Sequence, residues 1–253
     1  MERSCQQDIQ RHCREIDRCN QRGGRMLSIV DLIDAGTVTV ELAGYLLASI
    51  HKGSSVMVGA LPGGAGKTTV MGALLNFVPA DVELVPADGD EVVHQALSDQ
   101  SSRRCYICHE IGAGYYYAYL WGAVLTDLFR LPSSGHLVAT NLHADTIEQA
   151  RHQICVDNPV PAEVFDRFGL MLFLHVRGRW GSAQRRIATV YEPAPSGPPR
   201  LVYSMNRDGR IEPAEPSSLV TAEEAERATD RIDALLASGA RTIEQVRQFV
   251  VDA

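Results

Sequence analysis

Short apolar runs alternate with amphipathic stretches along most of this chain. Ser54-Ser-Val-Met-Val-Gly-Ala-Leu-Pro-Gly-Gly-Ala-Gly-Lys-Thr-Thr69 reads as a buried strand, a glycine-rich turn and the start of a helix running through Met71, Leu74, Leu75 and Phe77. Upstream, Ser28 to Gly36 reads as a short capped helix, and Val40 to Ile50 carries apolar residues at helical spacing. Downstream, strands are expected at Val82–Pro86, at Cys105–Cys108 ending in His109-Glu110, and at Gly135–Thr140. Helices are expected over Tyr115–Phe129, rich in aromatics, and over Thr146–Ile154. Strands alternating with helices predict βαβ units and a mainly parallel sheet, an α/β fold.

The pattern changes after Leu170-Met-Leu-Phe-Leu-His-Val176. Arg186–Glu192 and Leu201–Met205 read as antiparallel strands, with turns over 177–181 and Pro193–Pro199. Thr221, followed by acid in the first turn, opens a helix that Gly239 ends, and Thr242 opens another. The charged, glycine-ended first 25 residues read as a helix or a loosely held arm.

Gly63, Gly64, Ala65, Gly66, Lys67, Thr68 and Thr69 have the layout of a phosphate-binding loop. Glycines let successive backbone N–H groups converge on phosphate oxygens, and the helix N-terminus adds partial positive charge. Lys67 is placed to reach the β- and γ-phosphates and the Thr68 hydroxyl to meet Mg²⁺. Leu61 stands where the pattern has its first glycine, a residue that enters a positive-φ turn at a cost. The bland alternative is a glycine-rich turn that binds nothing. Ligands of parallel sheets bind at the carboxyl ends of strands. Lys67, Asp88, Glu110 and His143 all follow expected strands, so convergence on one edge is expected.

A net charge of -7 argues against a large nucleic-acid footprint, which needs clustered Lys and Arg. No run reaches the roughly 18–20 apolar residues of a membrane span, and the polar start has no signal-peptide core. A cytoplasmic protein is expected, with peripheral docking at a membrane left open. The six cysteines are then reduced thiols rather than a disulfide framework. Cys105-Tyr-Ile-Cys-His109 spells the string of c-type haem attachment, but that chemistry belongs to exported proteins. Cys5, Cys13, Cys19 and His12 match no compact metal-ligand spacing.

Four blocks in order resemble the secretion and pilus motor ATPases, which drive type II secretion, type IV pili, Tad pili and type IV secretion. Leu32 through Ile50 looks like the lead-in of the Tad-type branch, and the phosphate loop follows. His109-Glu110-Ile111 is similar to the Gly-Glu-Ile of the family's Walker B box. Ser134-Gly-His-Leu-Val-Ala-Thr-Asn-Leu-His143-Ala is close to its His box, and Arg185 to Glu192 looks like its tail. The resemblance implies a RecA-like ATPase domain over 28–205, an N-terminal arm over 1–27 and a small helical region over 206–253.

It further implies ATP and Mg²⁺ as ligands, with Thr68 and Glu110 at the metal. Glu110 would assist the metal or the attacking water, and His143 would sense the γ-phosphate. Asp88 and Glu91 match acidic family positions, whereas His136 reads as a packing residue. The implied partners are further copies in a ring, a hexamer, and a membrane platform protein of a pilus or secretion system, with no nucleic acid. The chain departs from the family at Gly112 and Ala113, where a basic residue and an aspartate are usual. The Arg- and Asp-Pro-rich segment before Walker B is short, Arg103 and Arg104 standing as its remnant. Most of the N-terminal domain, the usual source of a trans-acting arginine, has no counterpart here. Such an arginine is worth roughly 10³–10⁵ in rate. The competing readings are therefore a degenerate nucleotide-binding subunit with little turnover, and a small P-loop kinase.

Overall fold

The computed structural model describes residues 2–20, 23–99, 101–178 and 183–252. The side chain of Cys5, Arg22 and most of the turn expected at 177–181 lie outside the described residues. The chain opens with three helices, α1 (Glu2–Arg18), α2 (Ile29–Asp34) and α3 (Val40–His51), before β1 (Val56–Gly59) and α4 (Lys67–Leu75). Then come β2 (Glu83–Pro86), α5 (Asp90–Ser98), β3 (Arg104–Ile111), β4 (Tyr119–Leu120) and α6 (Val124–Arg130). Next are β5 (Leu137–Leu142), α7 (Ile147–Cys155), α8 (Ala162–Phe165) and β6 (Leu170–Arg177). The antiparallel strands β7 (Gln184–Glu192), β8 (Arg200–Met205) and β9 (Ile211–Pro213) precede α9 (Ala222–Ala237) and α10 (Ile243–Asp252).

All nine strands join one sheet in the order β2-β3-β5-β1-β6-β7-β8-β9, with β4 added to β3. From β2 to β6 the pairing is parallel, and from β6 to β9 antiparallel. The strand period of two explains why the central strands read as unbroken apolar runs. Val56 and Val58 on β1, Ile107 on β3 and Leu172 on β6 enter one core with α1, α3, α4, α9 and α10. Met57, Tyr106, Val138 and Phe173 face the opposite core, closed by α5, α6, α7 and α8. Each fully buried Leu, Val or Phe in these layers contributes about 1.5–3 kcal/mol. The expected α/β architecture, with antiparallel strands and helices at the C-terminal end, is the observed one.

Local chemistry sets the helix starts. The Asp31 carboxylate accepts the Ser28 N–H at 2.7 Å, and Thr146 accepts from Gln149 N at 3.3 Å. Thr221 and Glu224 form a reciprocal capping box.

One open reading is resolved and one expectation changes. Of the helix and the loose arm, the N-terminal segment forms the helix: Ile9, His12, Cys13 and Ile16 of α1 are buried in the first core. The long helix over Tyr115–Phe129 does not form; only Val124–Arg130 is helical. Tyr119 and Leu120 instead pair with Glu110 and Ile111. Ala118, at φ 53, and Gly122, at φ 86, both take left-handed backbone that a helix cannot contain. Strand pairing and turn geometry override the apolar spacing. Tyr115, Tyr116, Tyr117 and Trp121 are left exposed beside the end of β3. The short β9 had no warning in the sequence pattern.

Candidate nucleotide site

Strands β3, β5 and β1 are neighbours, so their carboxyl ends deliver Glu110, His143 and the loop 60–66 to the same edge. The loop turns on Gly64 (φ 81) and Gly66 (φ 97), conformations costly for any residue with a Cβ. Gly66 is the N-cap of α4. That helix is apolar on nearly every side, burying Val70, Met71, Ala73, Leu74 and Leu75. Its N-terminus thus points its unpaired amides out of a low-dielectric setting.

Leu61 is not in the left-handed region, since Ala118 is the only positive-φ residue other than glycine among the described residues. Its side chain is 47% exposed and leaves the bend unplugged. Its peptide is held on both sides: Leu61 N donates to Asp145 Oδ1 at 2.7 Å, and His143 Nδ1 lies 3.1 Å from Leu61 O. The missing glycine is therefore tolerated because the turn is made three residues later.

Lys67 is buried and folded along its own loop, with Nζ 3.2 Å from Ala60 O and 3.4 Å from His143 Nδ1. His143 Nδ1 serves as donor to Leu61 O in one tautomer and as acceptor for Lys67 in the other. Glu110 Oε1 lies 3.6 Å from Lys67 Nζ and 3.7 Å from His143 Nε2. Both distances exceed hydrogen-bond length, and among the described residues this buried oxygen has no hydrogen-bond partner. Burial raises the Glu110 carboxyl above its ordinary range, while Lys67 and His143 pull it back down. A nearly buried acceptor left open in this way fits a site completed by a ligand.

The three groups open into a cavity of about 620 Å³ that also takes in Thr68 and Thr69. One wall comes from the segment before the loop, including Leu27, Leu32 and Thr37. Another comes from Arg185, at the start of β7, whose Nε donates to Gly64 O at 3.1 Å. An apolar wall at one end and amides, ammonium and hydroxyls at the other suit a ligand with an aromatic body and an anionic tail. Thr68 and the orphaned Glu110 oxygen fit a Mg²⁺ ion carried in with that tail. Among the described residues no cluster of three His, Cys, Asp or Glu could hold a metal alone.

The remaining expected residues lie elsewhere. Asp88 accepts from Ala118 N at 3.2 Å and so anchors the tyrosine loop, outside the cavity wall. Glu91 is exposed on the first turn of α5 and accepts from Gln95. His136 is buried, accepts from Arg104 N at 3.2 Å and approaches Ala96 O and Asp99 O, a packing role. Arg103 bonds Gly135 O, and Arg104 pairs with Asp99.

The cysteines Cys13, Cys19, Cys105 and Cys108 are buried free thiols. Burial pushes Cys105 and Cys108 up to about 12, which removes thiolate chemistry near neutral pH. Cys19 closes the cavity floor against His109, with Sγ 3.4 Å from Nε2. Asp145 and Cys19 carried no motif of their own, so only the fold reveals them.

Solved structures that match this chain include two secretion ATPases. One is the VirB11 ATPase of the Brucella suis type IV secretion system, in complex with sulphate. It is 17% identical at a TM-score of 0.44, over 65% of this chain and 54% of that one. The other is the Legionella pneumophila ATPase DotB, 11% identical at a TM-score of 0.41, over 79% of this chain and 57% of that one. The chain spans little more than half the length of either. No family model matches it, and no curated protein does. Among the described residues no helix is long and apolar enough to cross a membrane.

Proposed function

We propose that this chain binds and hydrolyses ATP as a motor subunit of the secretion and pilus ATPase type, its RecA-like unit spanning residues 28–205. The supporting observation is the meeting of Lys67, Glu110 and His143 over one glycine-rich loop, at the ends of neighbouring strands. Lys67 and His143, 76 positions apart, are brought into contact at that sheet edge, which supports reading it as the reaction site.

The loop amides of 63–66 bind the β- and γ-phosphates, and Lys67 turns from Ala60 O toward their oxygens. Thr68 and Glu110 would hold Mg²⁺, which would supply charge neutralisation on the phosphates. Glu110 orients the attacking water. The water oxygen bonds to the γ-phosphorus, the bond to the β–γ bridging oxygen breaks, and its electron pair leaves on ADP. The water's proton passes to the Glu110 carboxylate and on to solvent. The raised Glu110 carboxyl makes a better base than an exposed glutamate. His143, with its side chain half exposed, stabilises the outgoing phosphate and reports its presence through Leu61 O. Further copies in a ring and a membrane platform protein complete the motor, working at the cytoplasmic face.

A second reading has its own support. The Glu110 carboxylate faces Lys67 rather than open solvent, and Gly112 and Ala113 offer no charge beside it. A subunit that binds ATP and turns it over slowly, serving as an interaction switch, fits that arrangement. Phosphate release by the purified chain separates the two. The motor reading expects steady turnover that Lys67→Ala and Glu110→Gln each abolish; tight ATP binding with no turnover selects the switch.

A further inference from the structure

We infer that Arg185 is the cation that recognises the terminal phosphate of the bound nucleoside triphosphate, an arginine supplied in cis by the antiparallel half of the sheet. The inference rests on the phosphate-site reading above.

The topology puts Arg185 in place. Strand β6 runs parallel to β1, so its carboxyl end lies on the ligand side, and β7 turns back from there. Arg185 sits opposite Val176 at that end. Its side chain crosses to the phosphate loop, where Nε bonds Gly64 O at 3.1 Å and one terminal nitrogen bonds Ala183 O at 3.2 Å. The stem packs on the first turn of α4: a Cβ added at Gly66 would stand 3.2 Å from Arg185 Cδ.

Charge makes this arginine unlike its neighbours. Among the described residues no carboxylate pairs with Arg185 within 4.0 Å, whereas Arg25, which also lines the cavity, is held by both oxygens of Asp31. A half-buried guanidinium whose hydrogen-bond partners among the described residues are two carbonyls has more to gain from a phosphate, which offers charge-assisted, two-pronged bonds. The same cavity holds the buried Glu110 oxygen that has no hydrogen-bond partner among the described residues. A triphosphate tail lying on the loop therefore shares its cavity with both a carboxylate and this arginine. The amides of 63–66 and Lys67 hold the β-phosphate of ADP and the β- and γ-phosphates of ATP, so an added cation at the loop gains most on the nucleotide that carries the extra phosphate charge.

The test is calorimetric titration of Mg²⁺ with ADP, and of Mg²⁺ with the β,γ-imido analogue of ATP, into the unsubstituted chain, Arg185→Ala and Arg185→Gln. Glutamine keeps a donor for Gly64 O and removes the charge, so a poorly folded alanine variant does not halt the comparison. Both variants are expected to lose about tenfold or more in affinity for the triphosphate analogue and less than about twofold for ADP. Equal losses for both nucleotides would make Arg185 a brace for the loop and overturn the assignment, as would no loss for either. Failure of the unsubstituted chain to bind either nucleotide would overturn the phosphate-site reading itself.

Discussion

Lys67 Nζ, at the start of α4, and Glu110 Oε1, at the end of β3, lie 3.6 Å apart, both residues buried. The pair holds a charge balance that a nucleotide would disturb, since phosphate oxygens compete with the carboxylate for the ammonium. Glu110 then becomes available as a base. In the free chain burial holds its carboxyl above the ordinary glutamate range, so kcat/KM, which reports the free enzyme, should fall on acidification. Glu110→Gln should lower phosphate release by about 10²–10⁴-fold and remove that acid limb, while nucleotide binding persists. An unchanged rate and pH profile would exclude Glu110 as the base.

Leu61 breaks the phosphate-loop pattern yet sits outside the left-handed region, pinned through Asp145. Restoring the pattern with Leu61→Gly should bring no gain in nucleotide affinity. It should cost about 0.4–1 kcal/mol of stability, because glycine adds freedom to the unfolded chain. Urea unfolding and nucleotide titration of the variant check both halves; a large gain in affinity would mean that the leucine distorts the loop.

His12 on α1 is buried, with Nε2 3.0 Å from Leu75 O at the end of α4. Burial, then the nearby Arg247, push its pKa well below the ordinary histidine value, against the carbonyl contact that raises it. The unfolded chain therefore binds a proton more readily than the folded one. Stability is full above pH about 6.5 and is lost as pH falls from there toward the folded-state pKa, by up to about 1.4 kcal/mol per pH unit. His51 and His109 are shifted the same way by burial and add to the slope. Denaturant unfolding at stepped pH should show this decline, and His12→Gln should flatten it; an identical slope in the variant would remove His12 as its source.

Arg247 of α10 is buried under the end of α4, where it donates to Asn76 O, Val78 O and Pro79 O. It closes the C-terminus of the helix whose other end carries the phosphate loop. Arg247→Ala would leave those carbonyls without their cation and should cost about 2–4 kcal/mol in urea unfolding. A loss below about 0.5 kcal/mol would show that solvent replaces it freely.

The parallel sheet and the site edge were legible because strands buried on both faces leave unbroken apolar runs. The loop, Glu110 and His143 each sit just past or at the end of such a run. What could not be read depends on distant pairing. The tyrosines of 115–119 have the composition of a buried helix, but Tyr119 finds a strand partner in Glu110, nine residues back in the chain. Asp88 was expected beside the ligand and instead ties that tyrosine loop, since Ala118 N is the donor it meets. Arg185 was legible only as one basic residue among many at the head of a strand. Its meaning comes from β7 turning back beside β6, whose carboxyl end lies on the same edge as that of β1.

Thermal unfolding with and without Mg²⁺ and ATP, for the unsubstituted chain and Lys67→Ala, tests the central claim most directly. At about a hundredfold excess over the dissociation constant, binding adds about 2.7 kcal/mol, a rise of about 5 °C or more for a chain of this size. The phosphate site predicts that rise in the unsubstituted chain and none in Lys67→Ala. No rise in the unsubstituted chain, or the same rise in both, would contradict it.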